Sequence, residues 1–343
     1  MQRTMWRPLA TAALVTGLAA SLVAACGGGG DQAGKRAAGP DQRPRLSGVI
    51  VFRRFFDADH SSGAIFAIGA DGRNERQLSH PPAGAVDSLN GPPGFMPHTG
   101  ALVFDRTDAN GNGSLWRVNA DGSGERRIRS LRGVPGDGWP AVSSDGRWIA
   151  IARAWGRKDR YDDLKTGLYV MRADGSSPRL VAPFGYRADV GGATWSPDGR
   201  QIVFAAHNNG PGRPVDGSAL FAVAPDGRGL RRITPWETTG QVTSPAFSPD
   251  GRRLLFQIRP LGEDFGGDYY TARADGSGRR RLTHFPVGST LGSARWAPDG
   301  HWIVFANSGL AGQDDVFVMR ADGTKVSPVT RTAAWESAPA WAP

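Results

Sequence analysis

Between Leu46 and Pro343 one pattern is written six times. Its clearest copy runs Ala193-Thr194-Trp195-Ser196-Pro197-Asp198-Gly199-Arg200-Gln201-Ile202-Val203-Phe204, then Leu220-Phe221-Ala222-Val223-Ala224-Pro225-Asp226-Gly227 and Arg231-Arg232-Ile233-Thr234. The second Asp-Gly of each copy falls at Asp71, Asp121, Asp174, Asp226, Asp275 and Asp322, at intervals of 50, 53, 52, 49 and 47 residues. Self-similarity at that period belongs to propeller blades or solenoid coils. Four short apolar runs per copy favour blades.

The four runs have different characters. The first, strand a, ends at an aromatic and a proline, as in Trp195-Ser196-Pro197, Phe247-Ser248-Pro249 and Trp296-Ala297-Pro298, with Ala141-Val142-Ser143 the weakest member. Strand b is an unbroken apolar triplet (Ile50-Val51-Phe52, Leu102-Val103-Phe104, Ile149-Ala150-Ile151, Ile202-Val203-Phe204, Leu254-Leu255-Phe256, Ile303-Val304-Phe305). Such runs are covered on both faces, as in stacked sheets. Strand c half-alternates, and strand d is short and rich in arginine, as outer edges are. The Asp-Gly pairs join a to b and c to d, because Asp supplies a side-chain turn bond and Gly takes positive φ. Hairpin chemistry therefore accounts for these aspartates without a catalytic role.

The chain stops at Ala338-Pro339-Ala340-Trp341-Ala342-Pro343, a strand a with no turn after it. The repetitive part opens at Ser47-Gly48-Val49-Ile50-Val51-Phe52, a strand b with no strand a before it. Together they complete one blade. The expectation is an all-β, six-bladed propeller of four antiparallel strands per blade over residues 46–343, its ring closed by the C-terminal strand, which removes exposed end edges.

The run Trp-Ser-Pro-Asp-Gly-Arg, then Ile-Val-Phe, Leu-Tyr-Val-Met-x-Ala-Asp-Gly and Arg-x-Leu-Thr, resembles the WD-like repeat of the TolB propeller family and covers residues 46–343. The resemblance implies six blades and an envelope protein. It rests on turn and core positions, so it speaks to fold more than to function. TolB proteins of the Tol system carry an α/β domain before the propeller. Here only about twenty residues separate the expected signal from the first strand, so contacts made through that domain do not transfer.

Arg3 and Arg7 precede an apolar stretch from Leu9 to Ala25, and Leu22-Val23-Ala24-Ala25-Cys26 ends on the chain's 1 cysteine. Residues 1–25 read as a bacterial lipoprotein signal and Cys26 as the lipidation site. The stretch is shorter than the roughly 20 residues of a spanning helix. Residues 26–45, opening with four glycines, have the composition of a flexible tether. The expected location is extracytoplasmic, anchored at the cell membrane. Without Arg3 and Arg7, 39 basic residues (41 minus 2) face 32 acidic ones, a net of +7 spread over the d strands. Export argues against nucleic acid, and a monomer is expected.

In an up-and-down blade the Asp-Gly turns share one side and the longer b–c and d–a connections share the other, where binding usually sits. Residues some five positions before each strand-a aromatic, Asn90, Asp137, Val190, Gln241, Leu291 and Glu336, are expected to ring the channel there. With Asp189, Glu237 and the loop indoles Trp236 and Trp335 they form a rim of acidic, amide and aromatic groups suited to an envelope protein, peptide or glycan. The bland alternative is that the indoles fill gaps and the carboxylates are solvated. Asp108-Ala109-Asn110-Gly111-Asn112-Gly113 matches the first half of a calcium loop, with Asp108, Asn110 and Asn112 as oxygen ligands, but position twelve is Asn119 where a bidentate Glu is required. Otherwise no cofactor is indicated.

No Gly-x-Ser-x-Gly or His-Glu-x-x-His occurs, and no catalytic residue is assigned. His60 and His207 are expected on the loop face, and the sequence pattern announces no orienting residue for them. Two functions remain: a binding or scaffolding module, or a glycan-active hydrolase or lyase using paired carboxylates of the acidic rim.

Overall fold

A computed structural model of the 343-residue chain describes residues 46–89, 94–96, 99–128, 136–155, 165–184, 190–207, 217–260, 266–286, 288–310 and 313–342. The expected signal, Cys26 and the tether lie outside the described residues. Every regular element among the described residues is a strand. Among them no helix is long and apolar enough to cross a membrane.

Four antiparallel sheets have four strands each. The first contains β9 (Gly136–Val142), β10 (Trp148–Trp155), β11 (Lys165–Arg172) and β12 (Arg179–Phe184). The second contains β13 (Val190–Trp195), β14 (Ile202–His207), β15 (Ser218–Val223) and β16 (Arg231–Arg232). The third contains β17 (Gly240–Phe247), β18 (Arg253–Pro260), β19 (Asp268–Arg273) and β20 (Arg280–Arg281). The fourth contains β21 (Arg295–Trp296), β22 (Trp302–Asn307), β23 (Asp315–Arg320) and β24 (Ser327–Pro328).

A larger sheet combines two such sets. One is β25 (Glu336–Trp341), β1 (Val49–Phe55), β2 (Gly63–Gly69) and β3 (Arg76–Gln77). In the other, the inner strand is split into β4 (Val86–Ser88) and β5 (Gly94–Phe95), both paired with β6 (Leu102–Thr107), followed by β7 (Gly113–Val118) and β8 (Arg126–Arg127). A single parallel pair, Gly63 with Val86, joins the two sets. β25 pairs antiparallel with β1, Ile50 opposite Trp341 and Arg54 opposite Glu336. The outermost strands are mostly two residues long and arginine-bearing, as expected. β12 departs, running six residues because Val181 and Ala182 are buried in the core beside it.

The tight turns follow from their sequence. Asp198 accepts from the Arg200 N–H at 3.1 Å and Asp226 from the Arg228 N–H at 2.9 Å, while Gly199 and Gly227 take φ of 70° and 88°. The Ser196 and Ser248 hydroxyls, ahead of backbone N–H groups, hold Asp198 and Asp250 below the usual carboxylate range.

The apolar triplets of strand b are buried on both sides, and each face serves a different core. Trp195, Ile202 and Phe204 pack on Leu168 and Val170. Val203 and Leu220 pack on Leu254 and Phe256. Leu255 and Tyr269 pack on Ile303 and Phe305. Ile50, Phe52 and Ile68 pack on Val304, Val316 and Val318, which brings the first sheet against the last. Full burial of each such side chain contributes about 1.5–3 kcal/mol.

The inner strands share one irregularity. Three residues before the strand-a core residue the backbone turns left-handed, at Trp139, Gly192, Ser244 and Ala338, with φ of 52°, 63°, 53° and 50°. The pairing register shifts at each of these places. These are β-bulges, which twist a strand and re-aim its side chains, often beside functional sites.

Candidate functional site

Just upstream of the bulges, the inner strands meet strand b in one recurring cross-strand position. There Glu336 lies opposite Arg54, Asp87 opposite Arg106, Asp137 opposite Arg153, Val190 opposite Ala206, Val242 opposite Ile258, and Leu291 opposite Asn307. Four of these inner residues, Glu336, Asp137, Val190 and Leu291, are rim positions expected from the sequence, and Gln241 lies one residue further out, opposite Arg259. Asn90 and Asp189 lie outside the described residues, and Asp87 occupies the corresponding place on the split strand.

The carboxylates at this level are buried and paired with arginine. Arg153 Nε and Nη2 donate to the two oxygens of Asp137 at 2.6 and 2.8 Å. Arg106 grips Asp87 through the same edge, at 2.5 and 2.7 Å, and reaches Glu125. Arg54 Nε donates to Glu336 at 2.9 Å, and its Nη2 also reaches Glu336. Glu336 is 0% and Asp137 3% exposed, so this arc is neither solvated nor anionic as a whole. Burial pushes Asp87 and Glu336 upward, against the pull of their arginines. The arginines were legible in part, since Arg follows the apolar triplet by two positions at Arg54, Arg106 and Arg153. The register that pairs them was not.

One position earlier on strand b the side chain faces the other way. There Arg53 donates to the Ser337 hydroxyl at 2.8 Å and to Ser88, and its charge acts on Asp105 and Asp314. Desolvation pulls Arg53 down to about 10. It also lifts Asp105 to about 7, opposed by Arg53 and by a hydrogen bond from the Trp139 backbone N–H. Asp314, held by the Thr290 hydroxyl and by Arg53, is raised by desolvation to about 6. Two carboxylates raised by desolvation toward neutrality thus flank one partly buried cation.

Beside Asp105, Trp139 holds a left-handed φ of 52° and leaves its indole 42% exposed. A bulky residue in that conformation is a genuine outlier. The exposed ring on an inner strand is an apolar platform next to polar groups, and it was missed in the sequence because Trp139-Pro140 reads as ordinary strand.

The two expected loop indoles are half-buried. Trp236 packs edge-on against Phe221 at 5.8 Å under Arg232 at 5.2 Å. Trp335 lies 4.9 Å from His60, which stacks on Phe55 at 4.3 Å. In the calcium-like loop Asp108 accepts from the N–H groups of Asn110 and Asn112, both at 2.9 Å, and from the Asn112 amide. No group of three or more His, Cys, Asp or Glu that could hold a metal occurs among the described residues.

No protein-family model matches the chain. It is 26% identical over 145 residues to an uncharacterized protein, Atu1656, of Agrobacterium fabrum, covering 42% of this chain and 47% of that one. The match thus spans about half the length of that curated relative. Among solved structures it is similar to TolB from Acinetobacter baumannii, with a TM-score of 0.67 at 16% identity over 86% of this chain and 67% of that one. It is also similar to a structure described as TolB from Agrobacterium tumefaciens, at 0.58 and 19% over 82% and 88%. Two enzymes share the likeness: a puromycin hydrolase mutant at 0.55 and 16% over 82% and 45%, and the oligogalacturonate lyase of Vibrio parahaemolyticus at 0.51 and 14% over 83% and 80%. At these identities the likeness is one of fold, a TolB-like β-propeller.

Proposed function

We propose that the chain is a lipid-anchored, extracytoplasmic propeller that acts as a binding or scaffolding module of the cell envelope. Six blades closed by the C-terminal strand are supported by the antiparallel pairing of β25 with β1 and by the core that packs Ile50 and Phe52 against Val304 and Val316. Lipidation at Cys26, after a signal over residues 1–25, supplies the membrane attachment, and residues 26–45 the tether. The recognition surface is the mouth around the inner-strand bulges, facing an envelope protein, peptide or glycan. Asp137, Gln241 and Glu336 brace it, and Trp236 and Trp335 border it.

The observation that carries this reading is Trp139, an exposed indole held left-handed on an inner strand beside Asp105 and Arg53. Large aromatics flanked by polar groups dominate recognition surfaces. A photo-crosslinking residue at position 139 in intact cells should give a discrete adduct, while one at Asp226, in a turn on the opposite side, should give none. Equal labelling at both positions would refute the assignment.

A glycan-active hydrolase or lyase is the second reading. It is favoured by Asp105 and Asp314, raised by burial to about 7 and about 6, the range a general acid or base needs. Turnover of an envelope polysaccharide that Asp105→Asn abolishes would establish it.

A further inference from the structure

Three arginines near the bulges, Arg54, Arg106 and Arg153, direct the Nε and Nη2 edge of the guanidinium at a carboxylate. A fourth, Arg295, lies on the inner strand β21 and is 5% exposed. Its Nη1 is fixed by two backbone carbonyls, Ala294 O at 2.8 Å on the residue just before it and Ser244 O at 3.3 Å at the bulge of the neighbouring inner strand. Its Nε and Nη2 have no hydrogen-bond partner, and neither does the buried hydroxyl of Ser293, two residues earlier. Among the described residues no carboxylate pairs with Arg295. Burial draws it down to about 10, so it stays charged at neutral pH.

The position sets Arg295 apart in the repeat. The residue before the strand-a core residue is Gly94, Ala141, Thr194, Ala246 or Ala340 in the other inner strands. Five small side chains and one arginine are not what packing alone would select. A desolvated cation without an anion is strongly disfavoured. A planar fork with one nitrogen already anchored presents its remaining edge in a fixed direction, and that edge matches the two oxygens of a carboxylate. The anchor at Ser244, three residues before the core residue Phe247, draws the guanidinium from the level of Trp296 toward the bulges and the mouth.

We propose that the Nε and Nη2 edge of Arg295, with the Ser293 hydroxyl beside it, binds a carboxylate group of an external ligand in the interior of the ring of inner strands. This deepens the binding-module reading by naming the charged group its ligand carries. It rests on that reading only for the statement that the ligand comes from the envelope.

The test is thermal unfolding of the full chain with matched pairs of probes at constant ionic strength: acetate and acetamide, N-acetyl-alanyl-alanine and its C-terminal amide, glucuronate and glucose. The acids should raise the melting temperature and their neutral partners should not. Arg295→Met should abolish the difference while the unliganded protein melts at the same temperature or higher, because an uncompensated buried charge is gone. Arg295→Lys keeps the charge without the fork and should bind about tenfold more weakly or worse; it serves also if the methionine variant does not fold. Protection by the dipeptide acid alone assigns the ligand to peptide C-termini, by glucuronate alone to acidic sugars, and by all three acids to the carboxylate itself. Equal effects of acid and neutral partner, or undiminished protection in Arg295→Met, would mean a buried edge that no ligand reaches and overturn the proposal. Carboxylate binding without crosslinks at position 139 would remove the mouth assignment and leave this one standing, and the converse result would do the reverse.

Discussion

Asp105→Asn isolates the electrostatics of the inner mouth. The substitution keeps an oxygen to accept from the Trp139 N–H, so the left-handed turn retains its anchor, and it removes only the titration. Burial raises the Asp105 carboxyl from 3.8 to about 7 in the folded protein. Between those values the native state holds a proton that the unfolded chain has released, so wild-type stability falls as pH rises from about 4 to about 7. At about 1.4 kcal/mol per pKa unit, a shift of that size corresponds to roughly 4 kcal/mol, and coupling to Arg53 brings the expected change to on the order of 2–4 kcal/mol. Asp314 and His60 titrate in both proteins and largely cancel in the difference. Urea unfolding from pH 4.5 to 8.5 should show the stability of Asp105→Asn, minus that of wild type, climbing by this amount up to about pH 7 and then levelling. Parallel curves across the range would refute the argument, because they would mean that Asp105 is ionised in the native state throughout.

Arg153→Met alone should cost about 3–5 kcal/mol in chemical denaturation by stranding the buried Asp137, and adding Asp137→Leu should recover most of that loss. Deleting Ser337 to Pro343 strips β1 of its inner neighbour and removes Trp341, 7% exposed and bonded through Nε1 to Ser47 O at 3.1 Å. Loss of the indole alone is worth about 3–5 kcal/mol, and an unchanged melting curve would sink the closed-ring reading. Cys26→Ser should move the protein from membrane fractions to the soluble extracytoplasmic pool; retention with membranes would point to another anchor. Millimolar calcium should leave the melting temperature unchanged, since Asp108 is already engaged by the N–H groups of its own loop. A rise that Asp108→Ala abolishes would make the loop a cation site.

What could be read from the sequence was whatever the repeat enforces. The Asp-Gly turns and apolar triplets recur because hairpin geometry and two-sided burial allow few alternatives, and they carried the all-β assignment and the limits of the strands. Register was harder. The bulge at Trp139, Gly192, Ser244 and Ala338 inserts a residue between the turn that anchors the count and the position that faces Arg54, Arg106 or Arg153. Asn90, reached by counting back from Phe95, lies outside the described residues, and the split into β4 and β5 puts Asp87 opposite Arg106. Glu336 and Asp137 were located, but their charge state was not, because it depends on a cross-strand partner that no local pattern announces. Trp139 escaped for a related reason: strand propensity favours an aromatic there, and only the backbone shows that the residue is not in a strand conformation.

The chemistry sits where the copies disagree. After the triplet, strand b carries Arg53, Asp105, Ala152, Ala205, Gln257 and Ala306 in turn, a position where Ala152 and Ala205 pack in the cores between sheets and Arg53, Asp105 and Gln257 bring polar groups instead. Before the strand-a core residue, Ala141, Ala246 and Ala340 pack in the cores between sheets, and Arg295 is the exception. A repeat can vary at such places without loss of fold, so charge there needs a cause other than packing. The charged groups at these two positions are Arg53 on β1, Asp105 on β6 and Arg295 on the last sheet, with Asp314 just before β23 and the Arg153–Asp137 pair on the sheet next to β6. The sheet of β13 to β16 offers Ala205 and Ala206 instead. A repeated backbone with one-sided charge gives a ligand a single orientation, which is what a specific binding module requires and a purely structural spacer does not.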